Sequence, residues 1–468
     1  MNYNKLHNKI NDLIKYESDK FIMNINLKQN VVDKLFDYQI MHVINLVTAL
    51  RSNNTIIDSS DTGTGKTYSS IALCKQFNFA PLIICPKTII SNWKEVCKYF
   101  SVEPLAIVNY EMIKNGKQYD SNGNKIKSKY VEVNELLKNE YKYKWNLPNY
   151  TLIIFDEAHR CKNVKSENGK LLLSTKNKKV LLLSATIADK PESFQIFGYM
   201  LGFYKSLRQA NNWIKGMLLD DKNYIGIKPK ISSIHKQIFP YRGSRIAIQD
   251  LGNKFPDNQI CPLCYDLDDK DKLDVNNAFT NLKQLQTKLE SINDQEIKKN
   301  ILKEIIKARQ KIELLKLPIF KEQIETNLEN NNSVAVFVNF KNTLYKLAEY
   351  FKTDCLIFGD QDINTRDKNI KDFQNNKSHL ILCTIQSGSE GISLHDLHGR
   401  QRISLISPTF SATDFKQCIG RIWRIGSISK AIQRVIFCSN SLEEIICNRL
   451  KEKLKFLDNI NDDDLIKF

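Results

Sequence analysis

Short apolar runs alternate with amphipathic stretches in two separate parts of the chain. In the first part, from about residue 35 to 230, Ile56–Asp58, Leu82–Cys85, Leu105–Asn109, Leu152–Phe155 and Val180–Leu183 are strand-sized and almost wholly apolar. Between them Thr67–Phe77 and Ile90–Phe100 read as amphipathic helices. A strand that is apolar at every position, rather than at alternate ones, suits burial on both faces. The pattern therefore predicts a parallel sheet covered by helices. Gly116–Trp145 breaks this rhythm; it is rich in Lys, Tyr and Asn and reads as a surface insertion. From 231 to 317 the pattern changes, and Asn276–Leu317 reads as long charged helix, with Leu282, Leu285, Leu289, Ile292, Ile297 and Ile301 near helical spacing. From 318 onward the alternation returns, with strand candidates Ser333–Val338, Cys355–Phe358, His379–Cys383, Arg402–Ile406 and Gln433–Cys438. The expected chain is α/β: one parallel-sheet lobe over 1–230, a helical insertion over 231–317, and a second lobe over 318–468.

Composition narrows the class. The 468 residues suit two to four domains, and 42% hydrophobic residues are enough to build cores. The charge, 69 − 52 = +17, favours a polyanionic partner, nucleic acid before a membrane surface. A codon bias toward Lys, Asn and Ile would produce the same excess. Met1–Lys28 is polar throughout, so it does not read as a secretory leader, and no apolar run approaches the ~20 residues of a membrane helix. The eleven cysteines are scattered, most in apolar settings such as Cys85. This predicts buried thiols in a reducing compartment (cytosol, nucleus or virion) rather than a secreted protein.

Four motifs carry chemistry. Ser60-Asp61-Thr62-Gly63-Thr64-Gly65-Lys66-Thr67 follows a strand and opens a helix, the setting of a phosphate loop. Its glycines let backbone N–H groups approach phosphates, Lys66 would reach the β/γ-phosphates of ATP, and the Thr67 hydroxyl would hold Mg²⁺. Ser60 stands where the strict pattern has its first glycine. Ile153–Phe155 delivers Asp156 and Glu157 to a strand's carboxyl end, followed by Ala158-His159. Asp156 is expected to organise Mg²⁺ and Glu157 to orient or activate a water. Ser184-Ala185-Thr186 closes another strand, where small hydroxyls suit a relay to the second lobe or a simple turn. In Gln417-Cys-Ile-Gly420-Arg421-Ile-Trp-Arg424 the two arginines lie three apart, on one helical face. They suit a clamp on a γ-phosphate, or a solvated basic helix end.

In this order the four motifs resemble those of superfamily 2 helicases, and the finer text is similar to the Swi/Snf branch. Leu82-Ile-Ile-Cys-Pro-Lys-Thr-Ile-Ile-Ser-Asn-Trp93 resembles its motif Ia, Phe36-Asp-Tyr-Gln39 its adenine-side glutamine motif, and Asn109-Tyr-Glu111 its motif Ib. Val334–Phe340 resembles motif IV, Ser387-Gly388-Ser-Glu390-Gly391-Ile-Ser-Leu394 motif V, and Ser441–Ile445 the family's C-terminal helix. The resemblance spans about residues 32–455. It implies two RecA-like lobes with ATP between them, Gln39 and Gly391 on the nucleotide, Gln417 and Ser184-Ala185-Thr186 coupling the lobes, and translocation on duplex DNA. Ser407-Pro408-Thr409 replaces the family's Trp-Asn-Pro, and the nearly bare motor is similar to compact viral or phage members.

By the same resemblance Lys87, Thr88, Ser91, Asn92, Tyr110, Ser387 and Gly388 should touch the phosphodiester backbone, with little sequence specificity and strong salt dependence. The segment 231–317 could grip DNA or dock a protein partner. Cys261-Pro-Leu-Cys264 offers half of a zinc site with no second close pair, and His395 and His398 read as structural. Two rival readings remain: a strand-separating DNA or RNA helicase, which uses the same motifs, and an ATP-gated clamp in a larger assembly with negligible turnover, against which the complete set of Glu157, Arg421 and Arg424 argues.

Overall fold

The computed structural model describes residues 26–120, 123–137, 139–185, 191–220, 232–248, 251, 258–265, 295–388, 392–409, 411–424 and 426–438, with scattered positions between 273 and 289. The chain divides into two compact units, one up to Asp250 and the other Leu251–Lys455.

In the first unit the expected strands form as β1 (Thr55–Asp58), β2 (Ala80–Cys85) and β3 (Ala106–Asn109). Two small antiparallel hairpins follow, β4 (Lys117–Tyr119) with β5 (Lys125–Lys127), and β6 (Val131–Val133) with β7 (Tyr143–Trp145). These fill the segment read as a surface insertion. β8 (Thr151–Asp156), β9 (Val180–Leu183) and β10 (Gly243–Ser244) complete a parallel sheet in the order β10-β1-β9-β8-β2-β3. Ile57, Leu82, Ile84, Ile153, Phe155 and Leu182 face one core, whereas Ile56, Ile83, Cys85, Ile154, Leu181 and Leu183 face the other. That two-sided burial is why these runs carry no polar alternation. Helices α1 (Asp37–Ser52), α2 (Lys66–Phe77) and α3 (Ile90–Phe100) belong to the second of these cores, through Val43, Leu46, Ile71 and Trp93 among others.

The second unit repeats the plan. β11 (Asn258–Tyr265), β12 (Ser333–Val338), β13 (Leu356–Ile357), β14 (Leu380–Thr384), β15 (Arg402–Ile406) and β16 (Ala431–Cys438) form a parallel sheet ordered β11-β16-β15-β12-β14-β13. Helices α4 (Gln295–Leu315) and α5 (Leu317–Glu329) precede β12, and α6 (Ala412–Ile422) lies between β15 and β16.

The segment 231–317 is not one helical insertion. Its residues 243–244 pair with β1 in the first sheet, and 258–265 pair with β16 in the second. A two-residue strand is too short to show a periodicity. β11 is an edge strand containing Pro262, a residue that an edge tolerates and that argues against a strand when read from sequence. The expected long helix is present over α4.

Candidate nucleotide site and its supports

β1, β9 and β8 are neighbours in a parallel sheet, so their carboxyl ends share one edge. That edge receives the phosphate loop from β1, Ser184 from β9, and Asp156-Glu157 from β8. Such edges are where ligands bind in open α/β sheets.

The phosphate loop is held in its turn from several sides. Gly63 and Gly65 take φ of 89° and 90°, and a Cβ on Gly65 would lie 2.3 Å from Gln39 Nε2. Only glycine fits there. Gln39, in the first turn of α1, donates Nε2 to Thr64 O at 3.1 Å and accepts Phe36 N at 3.1 Å. Tyr38 OH donates to the same Thr64 carbonyl at 3.2 Å. Lys66 opens α2 and turns Nζ onto Ser60 O (2.8 Å) and Asp61 O (3.1 Å). Burial lowers its proton affinity, while Asp58, Glu157, Asp156 and Asp61 pull the other way. Thr62 and Thr67 are half-buried, the latter in the first turn of α2.

A second belt comes from β10 and the residues after it. Arg245 donates Nη1 to Ser59 O at 2.6 Å and pairs Nη2 with Asp61 Oδ1 at 3.3 Å. Ile248 N donates to the other Asp61 oxygen at 3.0 Å, and Ile246 N to Ser60 Oγ at 2.9 Å. Ser60, at the position of the missing glycine, thus accepts this strap. Below it His42 bridges Ser244 Oγ (2.8 Å) and Asp58 Oδ2 (3.0 Å), all three buried. Burial opposes the Asp58 charge, but His42, Lys66 and the Ser60 side chain outweigh it and hold its carboxyl below the ordinary value. The sequence reading missed Arg245, His42 and Ser244. Asp58 did leave a signal, a carboxylate ending an otherwise apolar run.

The acidic pair is supported from below. Trp93 Nε1 donates to Asp156 Oδ2 at 2.8 Å, Glu157 N to Oδ1 at 2.9 Å, and Tyr110 OH to Asp156 O at 2.8 Å. Burial, then the Glu157 charge, push the Asp156 carboxyl up to about 7. A bound divalent cation would reverse that logic. Glu157 stands at φ 54°, and its Oε2 lies 3.3 Å from His159 Nδ1. The same nitrogen lies 3.2 Å from Ser184 Oγ, so the β8 and β9 motifs touch. Ala185 is buried beside Ser184; Thr186 lies outside the described residues.

In the second unit Arg421 and Arg424 converge on one carbonyl. Arg421 Nη1 and Arg424 Nη2 donate to Ile392 O at 3.1 and 2.9 Å, and their Nε atoms donate to Gln417 O and Gly420 O. Gln417 is buried in α6. The residues read as motif V and the Gln417–Arg424 run are therefore joined, although Gly391 itself lies outside the described residues. Ser407, the first residue of the variant tripeptide, joins a buried network. Its hydroxyl donates to Glu313 Oε2 at 2.8 Å and accepts from Lys316 Nζ at 3.2 Å, while Asn339 Nδ2 donates to Pro408 O at 2.9 Å.

The residues expected on nucleic acid divide. Lys87, Ser91 and Asn92 are exposed around the start of α3, and Thr88 is half-buried. Tyr110 is not on the surface; it is fully buried, with its hydroxyl on the Asp156 carbonyl. Gly388 is also interior, where a Cβ would lie 2.8 Å from Cys383 Cβ and 2.9 Å from the Phe337 ring. Ser387 is partly exposed, and its carbonyl accepts Arg366 Nη2 at 2.8 Å. Cys261 and Cys264 lie on β11, with side chains outside the described residues, as is the helix expected over Ser441–Ile445. Among the described residues no three His, Cys, Asp or Glu side chains gather as a metal cluster.

Two family models match the chain: "Type III restriction enzyme, res subunit" over residues 33–189 and "Helicase conserved C-terminal domain" over 314–426. A protein of Acanthamoeba polyphaga mimivirus, assigned by name as an ATP-dependent RNA helicase, is 37% identical over 95% of this chain and 87% of its own length. A CHD3-type chromatin-remodeling factor of Arabidopsis thaliana is 22% identical over 90% of this chain, which spans 37% of that relative's length. Among solved structures, the Sulfolobus solfataricus SWI2/SNF2 ATPase core in complex with dsDNA aligns with 94% of this chain and 99% of its own at 18% identity, with a TM-score of 0.37.

Proposed function

This chain belongs to the superfamily 2 helicases, in their Swi/Snf-like branch, and from that premise we propose that it is an ATP-hydrolysing motor that moves along nucleic acid, with duplex DNA as its track. The observation that carries the proposal is the shared edge of β1, β9 and β8. It presents Lys66, Ser184 and Asp156-Glu157 together, with His159 touching both Glu157 and Ser184.

In this reading the N–H groups of the glycine loop and Lys66 bind the β/γ-phosphates. The Thr67 hydroxyl and the Asp156 carboxylate are oxygen donors of the kind Mg²⁺ takes when phosphates and waters complete its shell, and there it would neutralise phosphate charge. Glu157 orients the attacking water. Arg421 and Arg424 stabilise charge on the γ-phosphate, a role for which a fixed guanidinium fork is suited. Ser184 passes the state of the acidic pair onward through His159. Lys87, Ser91 and Asn92 supply backbone contacts to the track. A strand-separating RNA helicase is the second reading, favoured by the name of the mimivirus relative.

We also place the protein in a reducing compartment. The seven cysteines whose side chains are described are free thiols and buried; no described helix is long and apolar enough to cross a membrane.

The test is steady-state ATPase with no polymer, duplex DNA, single-stranded DNA and RNA, at low and high salt, with Lys66→Ala as control. Strong stimulation by duplex DNA supports the translocase. Preference for single strands or RNA moves the assignment to a conventional helicase. Absence of stimulation by every polymer overturns the motor reading and leaves the ATP-gated clamp.

A further inference from the structure

We propose that the β4–β5 hairpin is an additional nucleic-acid contact surface, gripping the phosphate backbone beside the turn that follows β3. The proposal rests on the motor reading above and names a part of the track not assigned to any motif.

Between residues 114 and 129 five lysines (114, 117, 125, 127 and 129) stand against one acid, Asp120. Asp120 is engaged by its own turn, accepting Asn124 N at 2.8 Å and Nδ2 at 3.2 Å. In the hairpin register Lys117 lies directly opposite Lys127, and Tyr119 opposite Lys125. Strand alternation puts these four residues on one face and Gln118 and Ile126 on the other. Lys117, Lys125 and Lys127 are exposed, and no hydrogen bond or ion pair joins their ammonium groups to any described residue. Like charges directly opposite in an antiparallel pair are destabilising. No described residue relieves that repulsion through an ion pair or hydrogen bond; a phosphate between the ammonium groups would.

Position supplies the second argument. Tyr119 OH donates to Asn109 Oδ1 at 3.0 Å. Asn109 ends β3, at the same carboxyl edge that carries the phosphate loop and Asp156. The lysine face is therefore fastened to the sheet rather than waving on a tether. A cavity of about 470 Å³ opens between the two hairpins, walled by Lys117, Lys125, Lys127, Val131 and Glu132. Glu132, its one acid, lies 3.9 Å from Lys144 Nζ. The face has no exposed apolar anchor of the kind that holds a protein partner, and its one aromatic is tied to Asn109. Uniform positive charge without such an anchor suits a polyanion.

The experiment uses the full chain and the triple variant Lys117→Glu/Lys125→Glu/Lys127→Glu. Binding to fluorescein-labelled duplex DNA, single-stranded DNA and RNA is measured without nucleotide across a salt series. Affinity is expected to fall at least ~10-fold at low salt, and the slope of log K against log salt to shrink by about 2 to 3, as for three lost phosphate contacts. The polymers that lose affinity identify which track the hairpin grips. A Lys→Gln triple should show a smaller loss in the same direction. Its melting temperature should equal or exceed that of the parent, since the repulsion is relieved; a lower one would attribute the loss to folding and overturn the assignment. Unchanged affinity and slope for every polymer, in a parent whose ATPase is polymer-stimulated, sinks the hairpin proposal and leaves the motor intact. Loss of binding only to polyglutamate or to phosphatidylserine vesicles also overturns it.

Discussion

Trp93 donates its indole N–H to Oδ2 of Asp156 across 2.8 Å, inside the core of the first lobe. Both residues are buried, and the second carboxylate oxygen takes the Glu157 N–H. One oxygen pair is thus aimed by a side chain that the sequence places 63 residues away. The bond favours the charged form of a carboxylate that burial and Glu157 otherwise disfavour.

Trp93→Phe keeps the ring's apolar volume and removes that donor. The expected outcome is a folded protein whose apparent Mg²⁺ requirement for ATPase rises about 10-fold or more, the usual cost of losing a partner that orients a metal ligand. Mg²⁺ titration of the ATPase rate checks this. An unchanged midpoint would reduce Trp93 to a packing residue.

Lys66→Ala and Glu157→Gln should each abolish polymer-stimulated turnover, for different reasons. Lys66→Ala loses nucleotide binding as well as rate, whereas Glu157→Gln retains binding because it changes the group that orients water, not the phosphate cradle. Equilibrium binding of a fluorescent ATP analogue separates the two. Turnover at the parental rate in either variant contradicts the site.

Arg245→Ala removes the fork that joins Ser59 O to the Asp61 carboxylate. A weakened phosphate loop should raise KM for ATP about 10-fold, with a smaller change in kcat. Arg245→Lys should recover little of it, since an ammonium cannot span both acceptors. A drop in kcat at constant KM would place Arg245 in the chemical step instead.

His395 supplies a pH test. Burial first, then Arg424 and Arg402, lower its pKa to about 4 from the ordinary 6.5, and its Nδ1 has no hydrogen-bond partner among the described residues. The folded protein keeps this ring neutral where the unfolded chain binds a proton. Its contribution to stability is therefore intact above pH 6.5 and declines as pH falls toward 4. The full difference is on the order of 3 kcal/mol at most. Denaturant melts of parent and His395→Gln across pH 4–7 should converge as pH falls, and parallel curves would refute the assignment.

Much of this molecule is local in origin. The alternation of apolar runs with amphipathic stretches determines two parallel-sheet lobes, because a strand buried on both faces cannot carry polar alternation. The phosphate loop, the Asp156-Glu157 pair and the Arg421/Arg424 spacing are legible for the same reason: each chemistry needs its residues within a few positions of one another. The tertiary structure decided what supports them. Arg245 reaches Asp61 from 184 residues away, and β10 adds two residues to a sheet whose other strands end by Leu183. Such contacts leave no periodicity to read. Folding also decided direction: Tyr110 and Gly388, which a surface role would have faced outward, point into the core. A motif lists which residues are near one another along the chain. Only the packed sheet settles which side of each residue meets solvent and which meets the nucleotide edge.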